Sequence, residues 1–227
     1  MVRCYVWFLI FVLLMVPAGN GVSITEGAEM DQIMDVAQKM ISAVNHADDF
    51  ISAAEILYYK KGIEEQRFRF TFYYKRGKIR VTFSRPYPGA NVFYTRGDTY
   101  VVIKPFRFLP MVRLRLSIYN PLVRTPSGQR IDQADMGYLL GFLSKNLPLL
   151  GQREHKFVED ETQAEFSFWA QDYLEGTQLE RYRVIVSKGN WFPVRVERYT
   201  AEGKPIEILL FKDHTLNSHL DDRFFTP

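Results

Sequence analysis

The chain has 227 residues, with 29 Lys and Arg against 26 Asp and Glu and a net charge of +3. That length can bury one substantial core, and charge this evenly balanced argues against a dedicated nucleic-acid binder. The single cysteine, Cys4, lies near the amino terminus, so disulfides and thiolate chemistry are excluded from the rest of the chain.

Arg3 precedes an uncharged apolar run from Tyr5 to Val16, followed by Pro17 and small residues. This is the layout of a secretory signal peptide, and the run is too short to span a bilayer comfortably. Cleavage after Ala18 or Gly21 suits the small-residue rule. We read residues 1–21 as a leader and 22–227 as one exported domain; an uncleaved amino-terminal anchor is the alternative. Cys4 stands before the apolar run, the wrong place for a lipid-modified cysteine.

Residues 28–44 place Met30, Ile33, Met34, Ala37, Met40, Ile41 and Val44 at three-and-four spacing, which predicts an amphipathic helix. Its methionine stripe covers a core, and methionine also packs adaptably against a variable ligand. The two roles are compatible if the core is partly a cavity.

From Ile51 the period changes to two. Arg67, Arg69, Thr71 and Tyr73 alternate with Phe68, Phe70 and Phe72. After an Arg76-Gly77 turn, Ile79, Val81 and Phe83 alternate with Arg80 and Thr82. These are antiparallel strands, apolar on one face and basic on the other. "NVFYT" and "TYVVIKP" flank a turn at Arg96-Gly97-Asp98, and the next strand sets Val112, Leu114, Leu116 and Ile118 against Arg113 and Arg115. Pro121 to Gln133 is rich in turn residues. "DQADMGYLLGFLSKNL" predicts a second helix, capped by Asp132, with Tyr138, Leu139, Phe142 and Leu143 on one face.

The carboxyl half returns to strands: "HKFVED", "QAEFSFWAQDYL", "ERYRVIVSKG", "FPVRVERYT" and "PIEILLFKD". The sum is about ten short strands and two helices, an α+β fold with a curved antiparallel sheet. Phe68, Phe70, Phe72, Phe83, Phe93, Phe166 and Phe168 make its inner face aromatic. Two helices are scant cover, so apolar surface remains available to a ligand. Arg67, Arg69 and Arg80 are expected on a solvated outer face that discourages edge-to-edge pairing.

Little reads as catalytic. The 4 histidines, His46, His155, His214 and His219, lack zinc-motif spacing. His214 and His219 lie near Asp213, Asp221 and Asp222, which favours surface polarity over a weak metal patch. The acids of "VEDETQAE", residues 158–165, suit a solvated turn better than an acid–base pair. No enzyme activity, cofactor or metal is expected.

The stretch "YYKRGKIRVTFSRPYPGANVFYTRGDTYVVIKPF", residues 73–106, resembles the core hairpins of the periplasmic lipoprotein carrier family, LolA-like, with its outer-membrane receptor relative LolB. The residues carrying this are Lys75-Arg76, Phe83 with Pro86, Gly97-Asp98 and Pro105-Phe106. The ending "VRVERYTAEGKPIEILLFKDHTLNSHLDDRFFTP" is similar to the family's closing hairpin and its terminal Phe225-Thr226-Pro227. Gly77 stands where the family has proline.

The resemblance implies an unclosed β-barrel with helices as a lid over an apolar cavity for acyl chains. Its wall would combine Phe68, Phe70, Phe72, Phe83, Phe93, Phe166 and Phe168 with Ile79, Val81, Leu114 and Leu116. Arg76 would hold the lid shut, beside lid contacts at Met34, Met40, Tyr138 and Phe142. The implied protein is a monomeric periplasmic carrier or chaperone in lipoprotein sorting, without a cofactor. Its partners would be lipid or lipoprotein acyl chains, with an inner-membrane transporter or an outer-membrane receptor, and no nucleic acid. The alternative is an envelope sensor or regulatory module on the same fold, without transport activity.

Overall fold

The computed structural model describes residues 24–227 apart from 110, 136–137, 139–140, 143–144, 147–148, 150–152 and 172–177. The leader read at 1–21, Cys4, Leu139 and Leu143 lie outside the described residues. Helix α1 (Ile24–His46) leads. Next come β1 (Asp49–Lys60), β2 (Ile63–Lys75), β3 (Lys78–Arg85), β4 (Asn91–Thr95), β5 (Tyr100–Lys104) and β6 (Leu114–Ser117). After a long connection follow β7 (Lys156–Glu159), β8 (Gln163–Gln171), β9 (Leu179–Ser187), β10 (Pro193–Tyr199) and β11 (Pro205–Leu216). Of the expected second helix, the described residues Tyr138, Gly141, Phe142, Lys145 and Asn146 are helical, preceded by a short 3-10 turn at Ile131–Ala134.

All strands join one 11-stranded antiparallel sheet in the order β6-β5-β4-β3-β2-β1-β11-β10-β9-β8-β7. β6 and β7 are its two ends, so the barrel is open. The chain's halves form two arms that meet where β1 pairs with β11, Ala54 opposite Phe211.

Turn chemistry sets the hairpins. Arg76 and Gly77 both have positive φ, 46° and 85°, the left-handed pair that a two-residue hairpin requires. A proline, locked near −65°, cannot occupy Gly77, which accounts for the departure from the LolA-like pattern.

The register sorts side chains by face. Ala54 opposes Phe70, and Phe70 opposes Phe83, on the concave face. Two apolar clusters form there. Ile33, Val36 and Met40 of α1 pack on Phe166, Phe168 and Val184 of β8 and β9. Phe50, Phe72, Ile79, Val81 and Val101 form the other, on the β1–β5 arm.

One expected cavity residue lies on the opposite side. Phe93 pairs with Arg80, so the two-residue period puts it on the convex face with that cation. There the Arg80 guanidinium stands 5.3 Å from its ring centre. Val92 and Tyr94 are the residues of that strand that reach the concave side.

The convex face is also drier than its composition suggests. Arg67, Arg69 and Lys212 converge on Glu55, at 3.2, 3.1 and 3.2 Å, and leave that carboxylate buried. Glu197, fully buried, accepts from Arg183, Arg195 and the Tyr199 hydroxyl. Burial alone would raise its pKa, but these donors outweigh that effect and lower it. Arg80 is no free surface cation either. It donates to the Phe224 carbonyl at 3.2 Å and stacks on the Phe224 ring at 4.1 Å. It thereby holds the carboxyl-terminal segment across β2 and β3. Asp49 anchors the start of that segment, accepting from the backbone N–H groups of Ser218 and Leu220.

Candidate ligand-binding cavity

A cavity of roughly 200 Å³ lies between the two apolar clusters. Phe70 and Phe72 of β2 wall one side, and Phe168 of β8 with Val184 of β9 the other. Val196, Leu209 and Phe211 form the floor, while Met40, Val44, Ala134 and Phe142 cover it from above. Nearly every wall residue is apolar because all of these strands turn the same half of their two-residue alternation inwards.

The remaining expected site residues fall in distinct places. Ile79 and Val81 are buried beside Phe72 in the core of the first arm. Phe166 is buried under α1, with Met34 partly buried at that contact. Phe83 and Leu116 pack on that same β1–β5 cluster from its margin. Phe68 stands between Tyr58 and Phe83, with ring centres 5.7 and 6.3 Å away. Leu114 is 45% exposed on the edge strand. Tyr138 is 37% exposed and accepts a hydrogen bond from Gln133.

Arg76 acts at the carboxyl end of α1, whose Met40 and Val44 border the cavity. Its guanidinium pairs with Asp48, in the link between α1 and β1, and this cation holds the Asp48 carboxyl below its ordinary pKa. Arg76 thus clasps the carboxyl end of α1 to the β2–β3 turn.

The roof is fixed by residues the sequence did not single out for it. Arg96, in the β4–β5 turn, donates to the buried Asp135 carboxylate at 2.6 Å and to the Tyr74 hydroxyl at 3.1 Å. Asn146, also buried, accepts from the Gln171 N–H at 3.0 Å and donates to the Phe142 carbonyl. Ser127 donates to Glu207 at 2.7 Å. The Arg96-Gly97-Asp98 turn was visible in the sequence, but its partner 39 residues away was not.

Glu207 belongs to a charged cluster on the otherwise largely apolar concave face. Arg198 donates to Glu180 at 3.1 and 3.2 Å and lies 3.7 Å from Glu207. The Tyr182 hydroxyl donates to Glu180. Burial works against the Arg198 cation, yet Glu207, Tyr182 and Glu180 outweigh it and raise its pKa. Burial, then the Glu207 charge, pushes the Tyr58 phenol well above its ordinary value. Arg198 and Glu207 both border the cavity, so an otherwise apolar chamber has one polar corner.

Among the described residues, no group of three or more His, Cys, Asp or Glu side chains is placed to hold a metal ion. His214 takes its hydrogen bond from Asn190 and packs on Phe192. Asp222 pairs with Lys75 and Lys78. In the acidic 158–165 stretch, Asp160 caps its own turn, Glu159 pairs with Lys188, and Glu165 pairs with Arg183.

No protein-family model matches the chain, and no curated protein matches it in sequence. Solved structures do match. An uncharacterized conserved protein from Thermus thermophilus is 9% identical with a TM-score of 0.50, over 86% of this chain and 93% of that one. A DUF1329 family protein from Desulfovibrio piger is 13% identical with a TM-score of 0.47, over 87% and 97%. A LolA superfamily protein from Nitrosomonas europaea is 14% identical with a TM-score of 0.43, over 86% and 97%. At these identities the likeness is one of fold alone.

Proposed function

We propose that the protein is an exported, periplasmic carrier that takes a lipid, or an acyl chain of a lipoprotein, into this cavity. The observation that carries the reading is an aromatic-walled apolar chamber. Each methylene buried there contributes about 0.8 kcal/mol, so even part of one acyl chain outweighs several surface hydrogen bonds. The chamber, at roughly 200 Å³, is smaller than the about 300–1,000 Å³ of a drug-sized ligand site. A whole acyl chain therefore requires the roof to move. Among the described residues, roof contacts such as those of Arg96, Ser127 and Asn146 are side-chain hydrogen bonds, each of modest net free energy, so the roof can open and close again, which loading and release both need. The apolar run before residue 22 supports export, and the hairpin motifs support the carrier role.

Native mass spectrometry of the protein purified from its own envelope fraction, with organic extraction, tests this directly. Bound acyl lipid or acylated peptide is expected, together with uptake of a fluorescent fatty-acid probe. Val196→Phe, which thickens the cavity floor, is expected to abolish uptake while thermal unfolding stays cooperative. A clean apo mass with no probe uptake would sink the carrier reading and leave an interaction module on the same fold.

A further inference from the structure

Antiparallel alternation brings the β1–β2, β3–β4 and β5–β6 connections out at one end of the sheet. Large apolar side chains stand in water at or beside each, Ile63 at the start of β2. Ile63 is 74% exposed, Tyr87 60%, Phe108 77% and Met111 92%. The β5–β6 connection is the most extreme. Every described residue from 106 to 115 is exposed, including Phe106, Leu109 and Val112. Exposure on this scale at a loop tip calls for a partner.

Charge indicates which partner. Between Asp98 and Asp132 the sequence has no acidic residue, but at the β5–β6 end it has Lys104, Arg107, Arg113 and Arg115. Among the described residues, neither Arg107 nor Arg113 has a carboxylate partner. The two cations flank the Phe108 to Val112 tip. Guanidinium groups beside aromatic and aliphatic side chains suit the headgroup level of an anionic bilayer. A protein acceptor would accommodate the same apolar residues without requiring a carboxylate-free stretch.

We propose that this end of the sheet, with the β5–β6 tip foremost, docks on an anionic phospholipid surface. The neighbouring loop is packed against the tip's base, because a Cβ built on Gly89 would stand 2.7 Å from that of Arg107. From Tyr87 in that loop, aromatic contacts run inwards through Phe83 to Phe70 at 6.3 and 5.8 Å, and Phe70 walls the cavity. The docked face is therefore the end from which an apolar track enters the chamber. Only that last consequence rests on the carrier reading; docking itself does not.

Co-sedimentation of the purified protein with vesicles tests the docking. Binding to phosphatidylglycerol–phosphatidylethanolamine vesicles is expected, weakening as salt rises, with little binding to phosphatidylcholine. Arg107→Gln and Arg113→Gln should each weaken it about fivefold. Phe108→Ser with Met111→Ser should abolish it without altering the thermal unfolding curve. Leu122→Ser serves as the control. Leu122 is 83% exposed but follows the far end of β6, and this variant should bind as the parent does. Undiminished binding by the Phe108/Met111 variant would overturn the proposal, because another part of the chain would then be responsible. Binding only to vesicles that carry envelope proteins would overturn it in favour of a protein acceptor. Fatty-acid uptake is measured without vesicles, so failure of docking and failure of the carrier reading are separable.

Discussion

At the scale of single residues, polar groups on the concave face define the chamber's chemistry. Arg198 shares the alternation of Val196, so sequence pattern alone assigns it to the same face without revealing what neutralises it. Glu180 and Glu207 reach it from β9 and β11. A guanidinium buried with only one of these would be far less well compensated. His214 illustrates the opposite sign of effect. Burial holds its pKa below the ordinary 6.5, with Asp213 opposing only in part. The unfolded chain therefore takes up a proton first as the pH falls. The stability that neutral His214 contributes is complete above about pH 6.5 and is lost in the window below it. Urea midpoints at neutral pH and at about pH 5 should show this loss in the parent protein, and His214→Gln should remove that part of it.

At the scale of elements, the roof is the segment whose stability matters most to a ligand. Arg96 and Asp135 tie its front to the β4–β5 turn, whereas Asn146 ties its back to the end of β8. Arg96→Ala removes a donor from the buried Asp135 carboxylate, a loss that costs about 1–3 kcal/mol. Faster hydrogen exchange at residues 129–135 is expected, with β1, β2 and β11 unaffected. Arg76, the cation that the family resemblance favours for holding a lid, meets the cover at the carboxyl end of α1. An Arg76→Ala variant is thus a natural comparison in the same exchange experiment.

At the scale of the whole molecule, the open sheet lets two arms, bridged by α1 and Phe192, face one chamber. The core on the β1–β6 arm also takes in Val44 of α1 and Phe192 of the β9–β10 connection, the core on the β7–β10 arm packs on Ile33, Val36 and Met40 of α1, and the cavity lies between them. Loading an acyl chain should therefore move the roof and leave both arms intact. Hydrogen exchange of the fatty-acid-loaded protein is expected to quicken at residues 129–135 and to slow at the Phe70 and Phe168 strands. An unchanged roof would mean that the chain enters elsewhere.

The sequence by itself determined the strands, their turns and the leading helix, because each is written in local spacing. Ile79, Val81 and Phe83 declare one face of β3, and the Arg76-Gly77 pair declares its turn. Alternation also marked the aromatic wall at Phe70, Phe72 and Phe168. It failed at Phe93, where an apolar ring in "NVFYT" belongs to the other face and lies under Arg80. Only the tertiary structure decided the strand order that sets β11 against β1, the burial of Glu55 and Glu197 among cations, and the pegs of the roof. Ser127 and Glu207 are 80 residues apart, and Lys75 reaches Leu220 across 145. Spacing along the chain carries no trace of such pairs. They exist because the sheet's register brings together groups that must be satisfied once water is excluded.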